Sequence, residues 1–420
     1  MKTLKITGMK RNIFDKINEL LLYFPIVAIL GARQTGKTTL AKQLRPQWQY
    51  YDCEKPSILQ RIQHDPELFF EQNPQYIILD EAQEIPSMFS VLRGVIDENR
   101  DLKGRFILTG SSSPELLNNI SESLAGRVAI VELGTFKANE LFQTPLSNFY
   151  DLFSETLTRE SIASFIQNNQ QAQLTKQMVQ QAWLYGGYPE PVLAHNAHYY
   201  DSWMENYYQT YINRDIAKLF PKLNKITYQR FISMLSYLSG TIINKSDLAR
   251  NLEVSQPTTG QYTYIASKTY IWRELPSFEK NITKSIVKMP KGYMRDSGLR
   301  NYLQQIHSAE NLFNNPLVGN SFEAFVIEEI IKGLQTKNIP HWDSYYYRTR
   351  DGAEIDLILD GGFGQLPIEV KYGINTPVKQ LRSLERYIEE HHLPFGLVIN
   401  QADQIAWITK NILQLPIFWL

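Results

Sequence analysis

Gly31-Ala32-Arg33-Gln34-Thr35-Gly36-Lys37-Thr38 sets glycine, lysine and threonine at the spacing G-x-x-x-x-G-K-[ST]. Glycines without a Cβ let a backbone wrap a phosphate, so that loop N–H groups and the N-terminus of a following helix point at the anion. Lys37 is placed to reach the β- and γ-phosphates of ATP, and Thr38 to hold Mg²⁺ through its hydroxyl. A second stretch, Tyr76-Ile77-Ile78-Leu79-Asp80-Glu81-Ala82-Gln83, is an apolar run that ends in paired carboxylates. Asp80 can join the Mg²⁺ shell and Glu81 can polarise the attacking water. The expected nucleotide contacts are therefore Gly31, Ala32, Arg33, Gln34, Thr35, Gly36, Lys37, Thr38, Thr39 and Asp80, with Thr38 and Asp80 as the Mg²⁺ ligands.

Two further features could complete such a site. Phe106-Ile107-Leu108-Thr109-Gly110-Ser111-Ser112 is an apolar run ending in hydroxyl residues. Thr109 and Ser111 could sense the γ-phosphate or orient water; alternatively they are turn residues. Arg127 lies between a helical stretch, 114–124, and a strand, 128–131. It stands where oligomeric ATPases offer an arginine to a neighbour's nucleotide, or it is a surface arginine at a strand start.

Each of these residues needs an element to place it. Phe24–Leu30 reads as a buried strand entering the glycine loop, and Thr39–Leu44 has helical spacing after it. Ile13, Ile17, Leu20 and Leu21 predict a short amphipathic helix over 12–23, and Tyr50–Cys53 another strand. A parallel strand buried on both faces would deliver Asp80 to the sheet edge.

This set of loop, Asp-Glu strand end, Thr/Ser strand end and later arginine resembles the core of a AAA+ ATPase. Gly-Ala-Arg-Gln-Thr-Gly-Lys-Thr, Leu-Asp-Glu-Ala-Gln and Ser-Leu-Ala-Gly-Arg together resemble a prokaryotic group that joins a AAA-type ATPase to a C-terminal domain of unknown function. The resemblance spans essentially the whole chain. It implies Mg²⁺-dependent ATP hydrolysis, Arg127 acting in trans, and a homo-oligomer of the hexameric kind. Trp183–Pro191 resembles the Gly-x-Pro lid turn that packs on the nucleotide in related ATPases, with Pro189 as the contact; a loop between helices is the other reading.

Further along, Lys245–Leu252 and a helix opening at Gln256-Pro257 flank a turn, and Trp272–Phe278 reads as a strand. That is a winged helix-turn-helix pattern, whose second helix would enter a major groove. Arg250, Lys268, Arg273, Lys280, Lys284, Lys288, Lys291 and Arg295 give this region a local basic excess suited to duplex or branched DNA. Winged helices also dock proteins, so that alternative stays open. Tyr293-Met294-Arg295-Asp296-Ser297-Gly298-Leu299 resembles a Tyr-x-x-Asp-x-Gly-Leu stretch of the same group, with no chemistry attached to it.

The last part predicts an amphipathic helix over 320–330, then strands at 345–348, 352–359 and 366–371 with a turn at Asp360-Gly361-Gly362. Residues two apart share a strand face, so Asp356, Glu369 and Lys371 can converge, with Glu323 arriving from the helix. Carboxylates of this kind take Mg²⁺ or Mn²⁺, and Lys371 could activate bound water. The set resembles the PD-(D/E)xK nuclease core, although Ile355 stands where the named proline would. A nuclease-like fold that only binds DNA or a protein is the alternative.

Composition sets the outer bounds. The chain has 420 residues, 43% hydrophobic and 20% charged, with zero formal net charge, so any basic surface must be local. One cysteine, Cys53, excludes an internal disulfide framework and suits a reducing compartment. With no signal-type core and no apolar run near the ~18 residues of a membrane span, a cytoplasmic protein without membrane partners is expected. The reading is an α/β protein: a P-loop AAA+ core over 1–142, a helical lid and connector over 143–220, a winged helix over 221–305 and a restriction-endonuclease-like α/β domain over 306–420.

Overall fold

The computed structural model describes residues 8–111, 114–211, 216, 220, 221, 223–279, 288–349 and 351–420. Ser112, Lys280 and Lys284, along with 212–215 and 217–219 of the expected lid and connector, lie outside the described residues. The chain divides into two compact units, one holding 1–135, 188–194 and 268–270, the other 136–187, 195–267 and 271–420. The boundaries read from sequence are finer than this division.

The first unit is built on a parallel sheet of five strands. These are β1 (Ile26–Gly31), β2 (Gln49–Asp52), β3 (Ile77–Asp80), β4 (Phe106–Ser111) and β5 (Val128–Glu132), in the spatial order β2-β3-β4-β1-β5. Strands β1 and β3 are buried at every residue, as their unbroken apolar runs require when both faces are covered. Helices Phe14–Tyr23 and Lys37–Leu44 help cover one face, where Ile17, Leu21, Leu40 and Leu44 pack on Val27, Ile29 and Ile107. Phe69, Phe70, Phe89, Leu92, Leu116 and Ile120 cover the other face from the helices around them. Strand β1 starts at Ile26 and not at Phe24. Pro25 has no N–H to give the ladder, and its carbonyl instead accepts the N–H groups of Arg105 and Phe106 at 2.9 and 3.1 Å.

The strand order matters for the site. Strand β4 is inserted between β1 and β3, with Ile29 beside Thr109 and Gly31 beside Ser111. The ends of β1, β4 and β3 therefore present the glycine loop, the hydroxyl pair and the Asp-Glu pair along one edge. The short helix Pro189–Leu193 belongs to this unit and begins on Pro189, a favoured first helical residue whose missing N–H costs nothing there.

The second unit contains two sheets. Helix Lys225–Leu238, β6 (Thr241–Ile242), helices Lys245–Asn251 and Gln256–Lys268, β7 (Trp272–Leu275) and β8 (Lys291–Met294) follow one another, and the strands pair antiparallel in the order β6-β8-β7. The larger sheet has six strands: β9 (Asp343–Arg348), β10 (Glu354–Gly361), β11 (Gly364–Val370), β12 (Gly396–Asn400), β13 (Ala406–Trp407) and β14 (Ile412–Pro416). Their order is β13-β14-β12-β11-β10-β9, with β9, β10 and β11 an antiparallel meander and β12 parallel to β11. The meander turns at Gly362-Phe363, two residues past the expected Asp360, because Gly361 still pairs with Gly364.

Helix Val318–Gln335 is longer than expected and is not amphipathic in its setting. Residues from Ser321 to Leu334 are buried on most of its circumference, Glu328 and Glu329 included. Aromatic residues of the stretch expected as a lid (Phe149, Tyr150, Phe153, Phe165 and Trp183) share one core with this helix and with Leu357, Ile368 and Leu397 of the larger sheet. Backbone bonds tie the same stretch to the meander turn and to the residues after β14, Leu157 N to Phe363 O at 2.9 Å and Leu174 N to Phe418 O at 3.3 Å.

Candidate functional site

The glycine loop runs straight from β1 into helix Lys37–Leu44. Gly36 has φ +89° and caps that helix, a conformation L side chains rarely adopt. Gly31 meets a different limit, since a Cβ there would lie 2.2 Å from the Leu133 carbonyl oxygen. Inside the loop, Thr35 Oγ1 donates to the Ala32 carbonyl at 3.0 Å. The Lys37 ammonium turns back onto the Gly31 and Ala32 carbonyls at 3.2 and 2.8 Å. Burial pushes Lys37 below the usual lysine range, while Glu81 and Asp80 pull it back up. A buried cation with carbonyl partners alone is poised for an anion. Arg33 reaches Glu54 at 3.7 Å, Gln34 is exposed and Thr39 is half-buried on the first helical turn.

Asp80 is the hub of the site. Thr38 Oγ1 lies 2.9 Å from both of its oxygens, Tyr50 Oη donates to Oδ2 at 2.6 Å, and Thr109 Oγ1 donates to Oδ1. The two expected Mg²⁺ ligands thus already face each other, so their donor set fits the ion. Thr109 spends its hydroxyl on Asp80, which makes it a positioning residue for that carboxylate. Glu81 sits in the left-handed region at φ 54°, an uncommon conformation for a non-glycine residue. Its Oε2 accepts from Gln83 Nε2 at 2.6 Å and from the Ser111 N–H at 3.4 Å. Arg127 is committed within its own chain, its Nε and Nη2 donating to the two Asp97 oxygens at 2.8 and 2.7 Å.

Sequence reasoning missed three supporting residues. Arg11, 6% exposed, donates from Nη1 to the Thr35 carbonyl and from Nη2 to the Gly134 carbonyl, both at 2.9 Å, and so clamps the loop from behind. Tyr50 and Gln83 orient the two carboxylates. The only available signals were an arginine ahead of the first helix, a tyrosine one strand away and a glutamine two residues on.

In the second unit the expected metal ligands do come together, but around an ammonium group. Lys291 Nζ lies 2.7 Å from Glu323 Oε1, 2.7 Å from Glu354 Oε1 and 3.0 Å from Asp356 Oδ1. Asp356 Oδ2 accepts the Val370 N–H at 2.9 Å, Tyr293 Oη donates to Glu323 Oε1 at 2.7 Å, and Lys371 Nζ lies 2.5 Å from Glu369 Oε1. Asp356 falls at a register shift between β9 and β10, a bulge of the kind that re-aims side chains. Although burial opposes its charge, Lys291 is held well above the ordinary lysine range by Asp356, Tyr293, Glu323 and Glu354. Burial lifts the Glu323 carboxyl to about 7, with Asp356 adding to the rise. Of the residues expected as a metal site, Glu323 and Asp356 thus meet Lys291, and Glu369 meets Lys371. Among the described residues no group of three or more acidic, histidine or cysteine side chains is arranged to hold a metal ion, because lysines occupy the space between the carboxylates.

The basic excess of the region also changes on folding. Arg250 pairs with Asp247, Arg273 with Glu328, Lys288 with Glu279 and Lys291 with the acidic cluster, while Arg295 lies 3.8 Å from Glu328. The Tyr-x-x-Asp-x-Gly-Leu stretch acquires a structural account. Asp296 caps helix Ser297–Leu303 by accepting from Leu299 N and takes the Gly187 N–H as well, both at 2.9 Å. A Cβ on Gly298 would lie 2.2 Å from the Tyr185 carbonyl oxygen. No described helix is long and apolar enough to cross a membrane.

Comparison with known proteins fits this geometry. Residues 23–142 match a AAA domain, residues 176–310 a domain of unknown function (DUF8612) and residues 318–420 another (DUF4143). "Uncharacterized protein Rv2008c" of Mycobacterium tuberculosis is 31% identical over 412 residues, covering 94% of this chain and 84% of that one. "Uncharacterized protein Mb2031c" of Mycobacterium bovis matches to the same extent, 31% over 412 residues. Among solved structures, the Walker-type ATPase PABY2304 of Pyrococcus abyssi is 15% identical, covers 72% of this chain and 98% of its own, and has a TM-score of 0.41. The RuvB Holliday junction branch migration motor of Thermotoga maritima is 15% identical over 64% of this chain and 90% of its own, at a TM-score of 0.27. With the phosphate loop, the Asp-Glu strand end and a AAA domain in one place, the chain is an ATPase of the AAA type and belongs to the family of these mycobacterial proteins.

Proposed function

We propose that the chain hydrolyses Mg·ATP at the loop of its first unit and uses the cycle to drive a DNA-binding second unit, working as a homo-oligomer. The observation that carries the hydrolytic part is the direct link from Thr38 to Asp80 at 2.9 Å, with Glu81 the next residue. The loop N–H groups and the Lys37 ammonium bind the phosphates, with Lys37 leaving the Gly31 and Ala32 carbonyls to do so. Thr38 and Asp80 would hold Mg²⁺, which when bound neutralises charge on the β- and γ-phosphates. Thr109 and Tyr50 keep the Asp80 carboxylate turned toward Thr38. Glu81, steadied by Gln83, accepts the proton of the attacking water, and Ser111 borders the same space. Pro189, in the same unit, is proposed to pack on the nucleotide. Arg127 would act on a neighbouring subunit's nucleotide only after releasing Asp97.

Support for DNA comes from the order helix, β6, helix, helix, β7, β8 with β8 central, an order that favours the winged-helix reading. The helix Gln256–Lys268 leaves Gln256, Pro257, Gln261 and Tyr264 exposed, side chains suited to a groove. The sequence of helix, three-strand meander, helix and parallel strand supports a nuclease-like origin for the C-terminal part. A second reading is favoured by the internal ion pairs of Arg250, Arg273 and Lys288. These take cations away from phosphate contact, and they suit a nucleotide-dependent switch that binds a protein. Metal-dependent DNA cleavage gated by ATP finds no support in carboxylates already paired with Lys291 and Lys371.

The deciding experiment is ATP turnover against single-stranded, duplex and branched DNA. Turnover abolished by Glu81→Gln and raised by one DNA form, with a steep salt dependence, is the expected result. Turnover indifferent to every DNA form would select the protein switch.

A further inference from the structure

We propose that Lys291 is a built-in cation that permanently fills the carboxylate cluster of the second unit, in place of a divalent metal. The cluster is then an ion-pair lock and carries no metal-dependent chemistry in the native chain.

An ammonium group has three N–H donors, and Lys291 has three carboxylates, Glu323, Glu354 and Asp356, within 3.0 Å. Glu354 and Asp356 accept hydrogen bonds from it, and Glu323 is an ion-pair contact. The carboxylates come from helix Val318–Gln335 and strand β10, so a single nitrogen ties the small sheet to two elements of the C-terminal fold. Two further oxygens of the site are engaged, Asp356 Oδ2 by Val370 N and Glu369 Oε1 by Lys371. Glu369 Oε2 is buried and accepts no hydrogen bond. It marks acceptor capacity beyond what two lysines use.

Lys291 cannot leave this position easily. Its side chain is 3% exposed. Its backbone sits on the central strand of the small sheet, opposite Ile242 on one side and Leu275 on the other. With the backbone paired on both sides, the ammonium can move away only by changing rotamers within a buried space. A divalent ion needs oxygens at about 2.0–2.6 Å in a shell of six or more. The ammonium stands where such an ion would sit and repels a second cation beside it.

The charge balance gives the consequence. Glu323, Glu354, Asp356 and Glu369 face Lys291 and Lys371, with Arg348 3.9 Å from Glu354. Removing the Lys291 charge leaves the carboxylates short of a counterion in a buried space. Shortening its side chain leaves room for one. The same oxygens should then accept Mn²⁺.

The test uses the full chain without nucleotide and follows Mn²⁺ by electron paramagnetic resonance together with thermal melting. Wild type and Asp356→Asn should give the same Mn²⁺ binding curve. Lys291→Ala should bind Mn²⁺ at least about tenfold more tightly than wild type and melt at higher temperature when Mn²⁺ is added. Lys291→Ala combined with Asp356→Asn should lose both effects. Lys291→Met, which keeps the bulk and removes the charge, should gain less than Lys291→Ala. Wild-type Mn²⁺ binding that disappears in Asp356→Asn would overturn the proposal. So would a folded Lys291→Ala that gains no Mn²⁺, or a Lys291→Ala chain that Mn²⁺ cannot return to the folded state.

Discussion

Replacing Arg11 with alanine should loosen the phosphate loop without touching any residue of its motif. The guanidinium is 6% exposed and holds the Thr35 and Gly134 carbonyls, each at 2.9 Å. A hydrogen bond from a charged donor contributes about 1.5–3 kcal/mol net, and a buried carbonyl left unpaired costs about 1–3 kcal/mol. Water entering the vacated space recovers part of this, so Arg11→Ala should destabilise the first unit by about 2–4 kcal/mol. The bond to Thr35 acts on the loop itself, beside Gly36. If about half of the loss falls there, the loop is correctly shaped only a fraction of the time, and Mg·ATP should bind roughly five- to thirtyfold more weakly. Amide hydrogen exchange over residues 34–38 measures the loosening and calorimetry with Mg·ATP the affinity. Arg11→Lys, which keeps the charge and one reachable carbonyl, should fall between the two. Loop exchange and nucleotide affinity both unchanged in Arg11→Ala would refute the clamp, even if the global melting point fell.

Three other outcomes are expected. Tyr50→Phe removes one of the hydroxyls holding Asp80, and should raise the Mg²⁺ concentration needed for half-maximal turnover about tenfold while leaving turnover at saturating Mg²⁺ nearly intact; an unchanged Mg²⁺ titration counts against a positioning role. Gly298→Ala drives a methyl to within 2.2 Å of the Tyr185 carbonyl and should cost the second unit about 3 kcal/mol, read as a lower urea midpoint. Burial pushes the Cys53 thiol up to about 12, so the folded chain keeps a proton that the unfolded chain begins to lose near pH 9. Stability contributed by that proton is therefore lost as pH rises from about 9 toward 12. The thiolate population near pH 8 is on the order of a thousandfold below that of an exposed cysteine, and labelling by a thiol reagent should be correspondingly slow until urea is added.

The ATP site was legible because its chemistry is local. Gly31, Gly36, Lys37 and Thr38 lie within eight residues, and backbone sterics with helix electrostatics dictate that spacing. Asp80 and Glu81 end a run whose apolarity alone announces a buried parallel strand. Thr109 was visible as a hydroxyl at a strand end, but its partner was not, since only the insertion of β4 between β1 and β3 brings it to Asp80. The acidic cluster was half legible. Alternation along strands put Asp356 and Glu369 near one another, yet Lys291 was counted among surface cations. Nothing in Met-Pro-Lys-Gly-Tyr-Met tells that its strand is central in a sheet and buried. The basic stretch was legible only in part: charge summed over a stretch of sequence ignores acids, such as Glu328 beside Arg273, that folding brings from elsewhere.

The shared core of 149–184 and the C-terminal strands bears on how this molecule can be taken apart. Phe153 packs edge-on to Phe363 at 4.9 Å, and Trp183 to Phe322 at 5.3 Å. A fragment cut at 306, the boundary read from the sequence, or at 318, where a family match begins, would lift a lid of aromatic rings off its own foundation and leave a sticky, aggregation-prone stump. Excision has to carry 136–187 along, even though a long stretch of polypeptide separates it from the sheet it covers. Swapping the C-terminal part between relatives would likewise transplant only half of a joint.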